Sequence, residues 1–137
     1  MVGRTRNEIS AKNKYYISKH RYLELKHFCL QYHEWKRELS YIENLPPSKS
    51  IVEIRDNSSD GYFFEKTMLQ RVELERRMEL VERAAAATDD YLAPFIFRCV
   101  TESASYTELH VKDGMACCKD MFYDRYHKFF WLLDQAR

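Results

Sequence analysis

Between residues 22 and 42 apolar side chains return every third or fourth position: Tyr22, Leu25, Cys29, Tyr32, Trp35, Leu39 and Ile42. That rhythm is the period of a helix with one buried stripe. Ser18, just upstream, has the short hydroxyl side chain of an N-cap, so the pattern predicts one long helix over residues 18–42. The paired prolines of "NLPPSKS" then end it, because proline has no amide proton and restricts the residue before it. Residues 45–62 show no helical period and read as a linker loop, with a short strand predicted at 50–54.

A second long helix is expected over residues 63–87. Its C-terminal half carries a stripe of Leu74, Met78, Val81 and Ala85, whereas Met68, Leu69 and Val72 lie on another side. An apolar surface that changes sides implies two partners, within the chain or in a second copy. Thr88-Asp89-Asp90 then opens a third helix bearing Phe95, Ile96, Cys99 and Val100, with Pro94 tolerated because it falls near the start.

Next comes "SYTE", a capping box in which Ser105 caps and Glu108 reaches back to the cap amide. The helix it opens is short, since Gly114 supplies a left-handed stop. A final helix follows over residues 118–135. Phe122, Tyr126, Phe129, Phe130 and Leu133 recur on it at helical spacing and are expected in the core. Trp131 and Leu132 widen that surface towards the long second helix. The opposite side shows Lys119, Asp120, Tyr123, Asp124, His127 and Lys128. A short helix, a glycine turn and a longer helix make the pattern of a helix-turn-helix. The fold class is therefore all-α, in three segments. Residues 1–44 form a basic, loosely ordered arm (residues 1–16) and a long helix, 45–62 a linker, and 63–137 a helical bundle with a C-terminal helix-turn-helix.

Composition agrees with a helical chain and narrows its environment. Only 3 Gly and 3 Pro interrupt 137 residues, with 45% hydrophobic and 31% charged positions. No apolar run approaches the roughly 20 residues that span a bilayer, and the basic opening stretch lacks an apolar h-region. A cytoplasmic protein with reduced thiols is expected, so the 4 cysteines serve as structural groups and Asn57-Ser58-Ser59 is a turn, not a glycan site.

The net charge of +1 hides an asymmetry. Residues 1–40 carry nine Lys and Arg against four Glu, residues 41–103 eight against twelve acids, and residues 104–137 five against five. The basic end suits phosphate contact through Arg4, Arg6, Lys12 and Lys14. On the last helix Lys119, Arg125 and Lys128 are phosphate candidates. Tyr123 combines a flat face with a hydroxyl, and Asp120 or Asp124 can accept from a cytosine amine. The histidines, His127 included, have no metal-ligand spacing, and no nucleophile–base or paired-carboxylate arrangement occurs. Neither catalysis nor a metal or other cofactor is expected.

Two blocks, "KNKYYISKHRYLELKHFCLQYHEWK" and "YTELHVKDGMACCKDMFYDRYHKFFWLL", resemble small phage and integrated-element proteins of Gram-positive bacteria. These look similar in turn to the RinA/ArpU-type regulators of phage late transcription. Their C-terminal part is similar to the promoter-reading fourth region of sigma factors. The resemblance implies that residues 106–113 form a supporting helix, Gly114 the turn and residues 119–128 a DNA-facing helix. Ser103 and Cys118 stand where relatives often carry glycine, and His110 where a sigma-like supporting helix usually has a small residue.

These features lead to the expectation of a DNA-binding transcriptional regulator encoded by a phage or mobile element, acting on double-stranded DNA in a bacterial cytoplasm. A second expectation, of another class, is a helical module that binds a host protein such as RNA polymerase or a defence nuclease. The two-sided second helix further predicts a homodimer.

Overall fold

The computed structural model describes residues 11–45 and 58–137, and all the regular structure among them is helical. The helices are α1 (Lys19–Leu30), α2 (Tyr32–Glu43), α3 (Ser58–Ala86), α4 (Ala93–Glu102), α5 (Tyr106–Val111) and α6 (Lys119–Ala136). The chain divides into two compact units, one running to Gln31 and resuming over Leu80–Arg137, the other covering Tyr32–Glu79. The strand predicted at 50–54 falls outside the described residues.

In the first unit α1 packs on α4 and α6, and α4 also meets α5 and α6. The spacing of Phe122, Tyr126, Phe129, Phe130 and Leu133 on α6 puts them on one side, and all five are buried. Leu25 and Cys29 of α1 and Ile96 and Val100 of α4, the helices packed around α6, are also fully or almost fully buried. Burial of each such apolar side chain contributes about 1.5–3 kcal/mol. The aromatic rings interlock edge to face: Tyr22 with Phe130 at 5.0 Å, Tyr126 with Phe130 at 5.0 Å and Phe129 with Phe130 at 4.9 Å. Tyr22 and Tyr126 share a hydroxyl hydrogen bond of 2.6 Å, which satisfies two polar tips inside the seam. Burial keeps the Tyr126 phenol protonated far above its ordinary range.

Charge pairs lock the rim of the same contact. Arg21 on α1 donates to Asp134 on α6 at 2.6 Å and to Glu24 at 2.5 Å. The Arg137 guanidinium reaches Glu24 at 3.0 Å and lies 4.2 Å over the Phe28 ring. These groups are partly exposed, so they set register more than they add stability.

Three local expectations are revised. The helix over residues 18–42 is interrupted at Gln31, whose N–H turns to Phe28 O at 3.2 Å while its side-chain amide donates to His27 O at 3.3 Å. A polar side chain that competes for the last carbonyls ends α1 without glycine or proline. The second long helix begins at Ser58, ahead of the apolar pattern at Phe63, and so takes in Gly61. One glycine costs a long helix only about 1 kcal/mol, and the serine–aspartate run before it suits a first turn. The described end of the N-terminal arm is not loose: Asn13 Oδ1 accepts from the Tyr15 N–H at 2.8 Å, and the Tyr15 ring packs 5.6 Å from Trp131. Trp131 therefore meets the arm, and Ile17 beside it is buried.

The second unit contains α2 and α3 up to Glu79. Trp35 and Leu74 are buried, and the Arg77 guanidinium lies 5.9 Å from the Trp35 ring. Arg71 pairs with Glu75 at 3.1 Å and with Glu43 of α2 at 3.5 Å. Arg76 at 2.8 Å and Arg77 at 3.1 Å converge on Glu73 and hold its carboxyl down at about 2.

Two measurements check this architecture. Ser103 ends α4 in the left-handed region at φ 57°, a conformation that strains a side chain and suits glycine. Ser103→Gly is expected to raise unfolding stability by about 0.5–1 kcal/mol in urea titration. Thiol labelling is expected to modify exposed Cys118 first and Cys117 more slowly. Cys29, whose thiol burial pushes far up, and Cys99, pushed up to about 12 by burial, are expected to react only on unfolding.

Candidate nucleic-acid interface

The supporting helix is set by its cap. Ser105 Oγ accepts from the Glu108 N–H at 3.1 Å, as the capping box predicts. Leu109 on α5 is fully buried, and its carbonyl accepts from Met115 N at 3.0 Å across the turn. His110 Nδ1 makes a 2.8 Å bond with Met115 O and its ring stacks on Tyr106 at 5.8 Å. His110 thus braces the turn through a ring nitrogen. Tyr106 closes the other side: its hydroxyl donates to Cys117 O and its ring lies 5.7 Å from Phe122.

Gly114 sits at φ +69°, with open space where a Cβ would stand. Its requirement is therefore conformational, not steric crowding. Cys118 caps α6 without a side-chain hydrogen bond, so backbone amides present the positive end of α6 at this point.

Lys119, Asp120, Tyr123, Asp124 and His127 follow one side of α6. Lys119 and Asp120 are exposed, whereas Tyr123, Asp124 and His127 are half-buried. The Lys119 ammonium lies 5.7 Å over the Tyr106 ring. Tyr123 packs edge-on to Phe122 at 5.2 Å and borders a groove of about 220 Å³ lined also by Lys26, Cys99 and Tyr106.

The remaining two basic candidates are half-buried and bonded within the protein. Arg125 pairs with Asp124 and lies 3.5 Å from Asp89 Oδ2, and its Nε is buried without a hydrogen-bond partner. Lys128 Nζ donates to Thr88 O at 3.2 Å. Asp89 in turn accepts from Leu92 N at 3.0 Å and Tyr91 N at 2.9 Å, and chiefly the Leu92 amide keeps its carboxyl below the ordinary range. Tyr91 Oη accepts from Ala116 N at 2.9 Å. The connector over residues 88–92 is thereby knitted to the start of α6. Sequence spacing could not reveal these braces, because the partners lie 25 to 40 residues apart.

On the arm, Lys12 and Lys14 are exposed, with the Lys14 ammonium 4.9 Å from the Tyr15 ring. Arg4 and Arg6 lie outside the described residues. Among the described residues no group of three His, Cys, Asp or Glu is placed to hold a metal, and no helix is long and apolar enough to cross a membrane. Comparison with family models, curated proteins and solved structures gives no match.

The turn can be tested directly. Gly114→Ala is expected to lower stability by about 1 kcal/mol through its positive φ, with Gly114→Asn losing less, as read by thermal unfolding.

Proposed function

We propose that this chain is a transcriptional regulator, of phage or mobile-element origin, that binds duplex DNA through the α5–turn–α6 unit. The observation that carries this reading is the build of the unit. A capped six-residue helix is joined through a left-handed glycine to a long helix whose first turn presents Lys119 beside uncapped backbone amides. Backbone amides at a helix start and a lysine both favour a phosphate oxygen. With that end seated at a phosphate, Tyr123 and His127 lie one and two turns along the same side, towards base edges in a groove about 12 Å wide. Asp120 or Asp124 accepts from a cytosine amine. Lys12 and Lys14 add phosphate contacts from the arm. In this mechanism Arg125 and Lys128 position α6 and do not touch DNA.

A second reading, a module that binds a host protein such as RNA polymerase, is favoured by one observation. Two of the three basic side chains on the final helix that were candidate phosphate contacts are engaged inside the protein, and residues 104–137 carry balanced charge. Capture from host lysate with and without nuclease separates the two. Partners that survive nuclease support this second reading.

Anisotropy titration at two salt concentrations tests DNA binding, with duplexes from upstream of the element's own genes and with random duplexes. A clear preference for the upstream DNA is expected. Lys119→Ala is expected to weaken both complexes about equally and lower the salt slope by about 1. Micromolar or weaker binding without preference would exclude a sequence-reading role.

A further inference from the structure

One face of α3 in the second unit holds apolar side chains open to solvent among charged ones. Tyr62 is 68% exposed, Leu69 65% and Val72 59%, whereas Leu74 on the opposite side of the same helix is 2% exposed. Counted in heptads, Tyr62, Leu69 and Arg76 occupy one seam position, and Glu65, Val72 and Glu79 the other. The apolar centre, Leu69 and Val72, is thus flanked by acid on its N-terminal side and by base on its C-terminal side.

This arrangement discriminates between orientations. A parallel pair would stack Arg76 on its own copy, and likewise Glu65 and Glu79, burying like charges in the seam. An antiparallel pair centred between Gln70 and Arg71 places Leu69 against Val72 of the second copy and Glu65 against Arg76, each contact occurring twice. The same register puts Lys66 beside Glu73 on the seam's flank. The Arg76 side chain is 54% exposed and already holds Glu73 at 2.8 Å, which orients the guanidinium while leaving donors of its fork available. A face that complements itself about a two-fold axis perpendicular to the helix suits an antiparallel isologous contact.

We infer that α3 mediates an antiparallel homodimer through the Tyr62, Leu69 and Val72 seam, registered by reciprocal Glu65–Arg76 pairs between copies. Every residue in this interface belongs to the second unit, whereas the proposed DNA contacts belong to the first, so its test needs no DNA.

Light scattering of the full chain at tens of micromolar, without DNA, is expected to give twice the 16.6 kDa chain mass. Glu65→Arg and Arg76→Glu each replace two attractions with two repulsions. Each is expected to raise the dimer dissociation constant roughly tenfold or more. The double variant Glu65→Arg/Arg76→Glu is expected to restore the dimer. An equimolar mixture of the two single variants is expected to pair as well, which also shows that both are folded. A wild-type mass of 16.6 kDa overturns the inference. So does a dimer that both single variants leave intact, an outcome that would assign the α3 face to another occupant or the contact to another surface.

Discussion

The aromatic seam between α1 and α6 is the contact on which the first unit depends. Phe129 and Phe130 are adjacent in sequence, so they leave α6 about 100° apart and must be enclosed from two directions. Tyr22 meets Phe130 from α1, while the buried residues of α4 complete the enclosure. The Tyr22–Tyr126 hydroxyl bond makes the enclosure specific, because two phenols left unpaired there would each carry a desolvation cost. Once α6 is held along this length, its N-terminal turns have a defined position, and α5 needs only six residues to brace them.

The charges in this region separate by task. Arg21, Arg125, Lys128 and Arg137 bond to carboxylates or carbonyls of the protein and fix helices and connectors relative to one another. Lys119 is exposed in the first turn of α6, near its backbone amides, with Asp120 exposed beside it. The charge balance of zero over residues 104–137 is a sum over groups that are placed differently in space. For an anion approaching the start of α6, the side chains at that point matter more than the sum.

In the second unit the organising feature is a helix with two unlike faces. Leu74 is buried while Leu69 and Val72, five and two residues earlier, remain open to solvent. The long run of arginine–glutamate pairs over residues 71–77 supports α3 by local bonds, so its helicity does not require both faces to be covered.

Periodicity alone determined the all-α class, the core side of α6, the cap at Ser105 and the left-handed turn at Gly114. Each depends on residues within four positions of one another, where local sterics and hydrogen bonds dominate. The two-sidedness of α3 was legible for the same reason. The break at Gln31 was not, since it follows from a competition between weak local bonds that no strong punctuating residue announces. Tertiary structure decided the rest of the candidate site. Arg125 and Lys128 look like free surface cations on a helical wheel, and only the approach of residues 88 and 89 makes them braces. Tyr15 reads as part of a basic arm until Trp131, 116 positions later, comes within ring contact. A long flexible cation has many possible partners within reach, and the fold, by choosing which acceptor it meets, decides whether its charge faces inward or stays available to a ligand.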